Sequence, residues 1–176
     1  MTKKTWLTFL MLAVTIAVTF ADRWSKLWVL NNIPLYGEYN LFPALYPYFR
    51  LAHSANTGIA FGLFQGGTFL FTIIAGIAVI AIAAYSLRSG EESALLSVSL
   101  GMMLGGAIGN LWDRIVYGAV VDFLSVRASD SLVWPTFNLA DSFIVIGTGL
   151  LIVYFLLEEH HARGQAQQAD RAPSAS

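Results

Sequence analysis

The sequence has 176 residues, of which 56% are hydrophobic and 12% are charged, and its formal net charge is −1. A soluble domain usually carries about twice this charged fraction, so the composition excludes an ordinary soluble domain and indicates a single-domain integral membrane protein. The charge balance favours no nucleic-acid partner, and the absence of cysteine excludes disulfides, thiol catalysis and cysteine-ligated metals.

The first apolar run covers residues 5–21, follows Lys3 and Lys4, and ends at Asp22. Its length is at the short end for a transmembrane helix, and a helix continued beyond Asp22 would place the following charges in the headgroup layer. A cleaved signal peptide is the alternative interpretation, but the residues before Asp22 form a poor cleavage site and further apolar runs follow. The run is therefore predicted to be the first membrane span.

Residues 22–67 are predicted to form a small extended platform on one face of the membrane. This stretch contains three of the five prolines, which break helices, and several tyrosines, which favour the membrane interface: Pro34, Pro43, Pro47, Tyr36, Tyr39, Tyr46 and Tyr48. Residues 49–52, followed by Asn56-Thr-Gly58, have the pattern of a short strand and a turn.

Three further spans are predicted at residues 68–87, 94–112 and 140–157. In the third span, Gly101, Gly105 and Gly109 recur every four residues, so they share one helix face and allow another helix to approach closely. Residues 113–139 are predicted to be a flap loop. The tail over residues 158–176 is polar and low in complexity, which predicts disorder.

The predicted fold is an all-α membrane protein, a four-helix bundle with a small β-sheet platform and a flap loop or short helix. Four spans place both termini on one side of the membrane. The basic residues do not identify that side, because five fall on the side of the termini and five on the other: Lys3, Lys4, Arg88, Arg163 and Arg171 against Arg23, Lys26, Arg50, Arg114 and Arg127.

Asp122 and Asp141 are the candidate catalytic residues. Asp122 lies within the apolar pentad Val-Val-Asp-Phe-Leu, and Asp141 lies at the entrance of the last span. Two carboxylates in a poorly solvated site share a proton, which equips one to activate water and the other to protonate an amide. The alternatives are a helix N-terminal carboxylate for Asp141 and a turn residue for Asp122. Asn110 and Asn138 could donate amide hydrogens to these carboxylates or to a substrate.

Two charge pairs are predicted beside the catalytic candidates. Asp113 and Arg114, at the end of the third span, are expected to form a clamp that holds the following loop, although Arg114 could also serve a substrate. Asp22 and Lys26 have the i, i+4 spacing of a local helical ion pair, with contact to a lipid phosphate as the alternative.

Other hydrolytic mechanisms lack their motifs. The chain has no HExxH sequence and only three histidines, His53, His160 and His161, so no metal site is predicted. There is no GxSxG elbow and no Walker loop. Ser25 and Lys26 are adjacent and would diverge on a helix, which argues against a serine–lysine dyad.

Five motifs between about residues 6 and 157 resemble, in the same order, the type II (lipoprotein) signal peptidases of bacteria. They are Asp22-Arg-Trp-Ser-Lys26, Asn56-Thr-Gly-Ile-Ala-Phe61, Gly109-Asn-Leu-Trp-Asp-Arg114, Val120-Val-Asp-Phe123 and Phe137-Asn-Leu-Ala-Asp141. Each motif alone is weak evidence for this family, but the five motifs in the same order are highly specific for it.

The resemblance implies an intramembrane aspartic peptidase with its dyad at Asp122 and Asp141. It would cut prolipoproteins before a diacylglyceryl-modified cysteine, need no cofactor, act as a monomer among membrane lipids, and be blocked by globomycin. The termini would be cytoplasmic, and the site would open at the outer face of the inner membrane, below a flap over residues 125–136. Residues matching the family's pocket are Asn56, Gly58, Asn110, Arg114, Asn138 and Ala140, with Asp22 and Lys26 near the first span.

The sequence departs from the family's pattern at three positions. Arg23 replaces the usual glutamine, Ile59 precedes the alanine of the second motif, and Ala55 replaces a bulkier residue. The bulk of Ile59 beside Gly58 is expected to reshape the pocket. Two other classes remain open: a transporter or channel with a carboxylate relay, which expects carboxylates near mid-span, and a catalytically silent scaffold that binds lipidated signal peptides.

Overall fold

The structure, a computed structural model, describes residues 2–58, 67–89, 93–129 and 132–171. Within these residues four helices are long and apolar enough to cross a membrane, and three strands form one antiparallel sheet. The elements are α1 (Lys3–Asn32), β1 (Glu38–Tyr39), β2 (Phe49–Asn56), α2 (Thr68–Ser89), α3 (Ala94–Tyr117), β3 (Val120–Val126) and α4 (Leu139–Arg171). The predicted class, a four-helix membrane protein with a small sheet, is confirmed.

Helix α1 is longer than the predicted span at residues 5–21. It begins after Thr2, whose hydroxyl accepts the Thr5 N–H, and continues to Asn32. Residues 22–32 were predicted to belong to the platform, but they contain no proline or glycine, and the first helix-breaking residue is Pro34. The platform therefore starts after Asn32, and the charges of this stretch lie on a helix.

Helix α3 lies at the centre of the bundle and packs against α1, α2 and α4. Its glycines allow the close approach to α1 that their spacing predicted. A Cβ atom at Gly101 would lie 2.7 Å from the Met11 carbonyl oxygen, and one at Gly105 would lie 2.8 Å from the Thr15 carbonyl oxygen. The backbones of α1 and α3 thus meet with no room for a side chain between them.

The sheet has the strand order β1–β2–β3 and lies near the C-terminal end of α1. Strand β2 is longer than the predicted strand at residues 49–52 and pairs with β3 from Phe49 opposite Val126 to Asn56 opposite Val120. An apolar cluster joins the sheet to α1: Val29, Ile33, Leu51, Val121 and Phe123. This packing fixes β3, and therefore Asp122, relative to the first helix.

The segment at residues 113–139, predicted as a flap loop, contains regular structure. Helix α3 continues through Tyr117 and ends at Gly118, whose left-handed backbone (φ 70°) terminates the helix. Strand β3 follows, because its apolar residues pair with β2 and pack against α1. The flap is thus limited to the connection from Arg127 to Asn138, of which residues 130 and 131 lie outside the described part.

Helix α4 extends to Arg171, where the sequence predicted a disordered tail from residue 158. Residues 158–171 are rich in alanine, glutamate, glutamine and arginine, which are strong helix formers and allow the last span to continue as helix. Residues 172–176 lie outside the described part of the chain, as does Ile59, so the predicted effect of Ile59 on the pocket stays a prediction.

The close packing of α1 and α3 predicts that Gly105→Ala destabilises the protein. The added methyl group would overlap the Thr15 carbonyl and the Val18 side chain, so we expect a loss of about 1–3 kcal/mol of unfolding free energy. Thermal unfolding in detergent measures the change. Gly76→Ala in α2 is the matched control, because its Cβ meets no atom within 4 Å, and equal effects of both substitutions would contradict the prediction.

Candidate active site

Asp122 and Asp141 line the same cavity, which has a volume of about 600 Å³. Asp122 lies on β3, and its side chain points away from water, with only 2% of the residue exposed. Asp141 lies in the first turn of α4. Two carboxylates that are far apart in sequence therefore face a common space next to the bundle.

Two amides hold the carboxylate of Asp122. Asn56 Nδ2 donates to one oxygen at 2.9 Å, and Asn138 Nδ2 donates to the other at 2.7 Å. Asn56 is fixed in turn, because its own Oδ1 accepts the Gly58 N–H at 3.0 Å. Asn56 therefore presents its NH₂ group to Asp122. Gly58 takes part through its backbone N–H, which fixes the orientation of the Asn56 amide.

Asp141 is held by two donors in a similar way. Asn110 Nδ2 donates to Oδ1 at 2.7 Å, and the backbone N–H of Asn138 donates to Oδ2 at 3.3 Å. The Asn138 side-chain oxygen accepts the Asp141 N–H at 2.9 Å, which completes a capping box at the start of α4. The helix N-terminal role considered for Asp141 is thus present, and it leaves the carboxylate directed at the cavity.

Burial and, to a smaller extent, the nearby negative charge of Asp141 together raise the pKa of Asp122 to about 7. The hydrogen bonds from Asn56 and Asn138 favour the charged form and act against this increase. The protonated form of Asp122 is therefore substantially populated near neutral pH, unlike that of an ordinary carboxyl group.

Beneath the two aspartates lies a cluster of buried charges that links α1 and α3. Lys26 Nζ contacts Asp22 Oδ2 at 2.8 Å and Asp113 Oδ2 at 2.9 Å, and all three side chains are fully buried. Arg23 forms an ion pair with the other oxygen of Asp113. The predicted i, i+4 pair of Asp22 and Lys26 is confirmed, and its burial rules out the alternative contact with lipid phosphate.

The predicted ion pair between Asp113 and Arg114 does not form, but Asp113 does hold the following segment, because its Oδ2 accepts the Val121 N–H at 3.1 Å. Adjacent residues on a helix point about 100° apart, so Asp113 faces α1 while Arg114 faces the cavity. Arg114 donates to the Asn110 carbonyl oxygen at 3.3 Å and approaches the Gly58 carbonyl oxygen at 3.5 Å. No carboxylate contacts its guanidinium in the described part of the chain, and its charge is available inside the cavity.

Two residues matched to the family's pocket do not line the cavity. Asn138 is fully buried behind the two carboxylates, and Ala140 is fully buried at the contact between α3 and α4. The Ala140 N–H donates to Asp22 Oδ1 at 3.0 Å. Both residues support the site from behind, because the first turn of α4 is packed against α3.

The cavity walls are mostly apolar and come from residues that sequence reasoning did not single out. They lie on β3, on the connection before α4, and on the first turns of α4: Val120, Trp134, Phe137, Ile144, Val145 and Ile146. The spacing of Ile144 and Val145 from Asp141, three and four residues, places them on the same helix face and could have indicated this wall. Among the described residues no group of three His, Cys, Asp or Glu side chains could hold a metal ion.

In the described part of the chain, four helices could cross a membrane, and two aspartates line one mostly apolar cavity. A model of the signal peptidase II family matches residues 14–157. This chain belongs to the signal peptidase II family and is therefore a multi-pass bacterial membrane protease.

Curated relatives and solved structures agree with this assignment. The lipoprotein signal peptidase of Symbiobacterium thermophilum is 36% identical over 85% of this chain and 97% of its own length. That of Syntrophomonas wolfei is 42% identical over 80% of this chain and 89% of its own length. Two structures of bacterial membrane enzymes, both determined in meso, superpose with TM-scores of 0.75 and 0.72 at 26% identity, over 85% and 83% of this chain and 88% and 92% of theirs.

The raised pKa of Asp122 should be visible in an infrared titration. We expect a carboxylic acid band that disappears with an apparent pKa near 7, because burial and Asp141 favour the protonated form of Asp122. Asp141→Asn removes the neighbouring negative charge and should move this transition to lower pH. Glu38→Gln removes an exposed carboxylate of the sheet and should leave the transition unchanged. The prediction would be contradicted if every carboxylic acid band disappeared within the pH range of ordinary carboxyl groups.

Proposed function

We propose that this protein is an intramembrane aspartic endopeptidase that removes the signal peptide from diacylglyceryl-modified prolipoproteins, cutting before the lipidated cysteine. The family assignment and the names of its relatives support this substrate class. The observation that carries the catalytic type is the pairing of Asp122 and Asp141 at one cavity, each oriented by asparagine amides.

The dyad would act with one carboxylate ionised and the other protonated. The ionised carboxylate takes a proton from a water molecule, whose oxygen attacks the carbonyl carbon of the scissile amide. The protonated carboxyl donates a hydrogen bond to the carbonyl oxygen, where negative charge develops. Proton transfer to the amide nitrogen then allows the C–N bond to break. The raised pKa of Asp122 supports this division of roles, because it makes the protonated form of Asp122 available near neutral pH.

The remaining cavity residues support a substrate that is partly peptide and partly lipid. Arg114 and the Gly58 carbonyl offer a donor and an acceptor to a peptide backbone beside the dyad. Trp134, Phe137 and Ile144 form apolar walls suited to acyl chains or to an apolar signal peptide. Globomycin-type inhibitors would occupy the same cavity, and the mechanism needs no cofactor and no second copy of the chain.

The proposed location is the bacterial inner membrane, with cytoplasmic termini and a cavity that opens at the outer face. The dyad, the sheet and the buried charge cluster all lie at the same end of the bundle, opposite the two chain termini. A substrate whose signal peptide spans the membrane would present its cleavage site at that end. This placement also favours a peptidase over a transporter, because a transport relay expects carboxylates near mid-span and the carboxylates of this site lie towards one end of the bundle.

The dyad predicts that Asp122→Asn and Asp141→Asn each reduce cleavage to background, because neither variant can both activate water and supply a proton. A gel-shift assay with lipidated precursor in detergent, with and without globomycin, measures the loss. Thermal unfolding shows whether the variants remain folded. Glu38→Gln replaces a carboxylate outside the cavity and should retain cleavage.

The outcome separates the peptidase from a catalytically silent scaffold with the same fold. Cleavage of lipidated precursor by the unmodified protein, lost in both folded dyad variants, supports the proposal. Absence of cleavage by the unmodified protein favours the scaffold, and normal turnover by either dyad variant contradicts the assignment of the dyad.

The proposed orientation can be tested by labelling single cysteines in a chain that has none of its own. Leu132→Cys, on the exposed connection near the cavity, should react with a membrane-impermeant maleimide on spheroplasts. Ala162→Cys, on the exposed C-terminal part of α4, should react only after the membrane is permeabilised. The reverse pattern would place the cavity on the cytoplasmic side.

A further inference from the structure

Lys26 is a fully buried cation with three side-chain oxygen atoms close to its Nζ atom. It forms ion pairs with Asp22 Oδ2 at 2.8 Å and Asp113 Oδ2 at 2.9 Å, and it donates a hydrogen bond to Asn110 Oδ1 at 3.1 Å. The ammonium group is therefore held by side chains from α1 and α3. It touches neither Asp122 nor Asp141 and does not line the cavity.

The two carboxylates bound to Lys26 each hold the backbone amide that precedes one of the dyad residues. Asp113 Oδ2 accepts the Val121 N–H at 3.1 Å, one residue before Asp122. Asp22 Oδ1 accepts the Ala140 N–H at 3.0 Å, one residue before Asp141. The backbone positions of the two catalytic candidates are thus connected through a single ammonium group.

The third contact of Lys26 determines which way the Asn110 amide faces. Because an ammonium group can only donate, the Asn110 oxygen must face Lys26, and its NH₂ group must then face Asp141. The same Asn110 oxygen also accepts from Asn138 Nδ2 at 3.2 Å, whose remaining hydrogen goes to Asp122. A rotated Asn110 amide would place an oxygen against the Asp141 carboxylate and repel it.

We propose that Lys26 is a positioning residue for catalysis, which sets the relative placement of the two dyad carboxylates and the direction of the Asn110 amide. The inference rests on the proposed function, since it concerns the efficiency of the same dyad. Lys26 acts through Asp22, Asp113 and Asn110 and does not contact the substrate. Its loss should therefore lower the rate of the chemical step and leave substrate binding nearly unchanged.

The test requires a variant that removes the ammonium group without leaving an unpaired buried charge. Lys26→Met alone would leave Asp22 without a cation, and such a loss commonly destabilises a protein strongly. The double variant Asp22→Asn, Lys26→Met keeps the ion pair of Arg23 with Asp113. The new amide at position 22 can still accept the Ala140 N–H, while Asn110 loses its ammonium donor.

We expect the double variant to unfold at a temperature close to that of the unmodified protein, with kcat reduced at least about tenfold and KM changed less than about threefold. Steady-state cleavage of lipidated precursor in detergent gives both constants. Thr15→Val is the matched control, because it removes a buried side-chain donor at the same α1–α3 contact, far from the dyad. It should leave kcat unchanged.

The possible results distinguish this inference from the proposed function. If the unmodified protein cleaves precursor, the dyad variants do not, and the double variant retains wild-type kcat, the positioning role is wrong and the peptidase assignment stands. A double variant that fails to fold, or whose KM rises while kcat is kept, also overturns the positioning role. If the unmodified protein does not cleave, or Asp122→Asn does, the proposed function itself fails.

Discussion

The arrangement of the site depends on one buried ammonium group. Removing a lysine charge from water is costly, and the cost is offset here by two carboxylates and one amide oxygen in direct contact with Lys26. Those acceptors belong to α1 and α3, and the carboxylates in turn bind the backbone at the starts of β3 and α4. Four elements are therefore joined at one point within a largely apolar bundle.

The close approach of α1 and α3 makes this junction possible. Gly109 continues the glycine face of α3, and a Cβ at this position would overlap the Asp22 carboxylate. The missing side chain therefore leaves space for a charged group, whereas at Gly101 and Gly105 it leaves space for the backbone of α1. The glycine repeat, which in sequence indicates helix packing alone, also provides room for part of the charge cluster that supports the dyad.

The sequence predicted the four spans, the sheet and the two aspartates, because long apolar runs and isolated carboxylates among apolar residues are local signals. It predicted the local ion pair of Asp22 with Lys26 correctly, but it assigned the wrong partner to Asp113. Asp113 and Arg114 are adjacent and were predicted to pair, but adjacent residues on a helix point about 100° apart. Asp113 instead meets Arg23 and Lys26, about ninety residues away. Such partners depend on how α1 packs against α3, which no local pattern specifies. Most of the cavity wall was missed for the same reason, although the spacing of Ile144 and Val145 from Asp141 was a local signal for part of it.

Arg23, where the resembling family usually has glutamine, completes the charge balance of the cluster. One oxygen of Asp113 contacts Lys26 and the other contacts Arg23, and Asp22 also contacts Lys26. The cluster thus has two acidic and two basic side chains, and their formal charges cancel. Arg23 also lies 5.6 Å from the rings of Trp112 and Tyr117, which hold its guanidinium in place. Burial and the negative charge of Asp141 are the two largest influences on the pKa of Asp122, and the charge of Lys26 has a smaller, opposite effect.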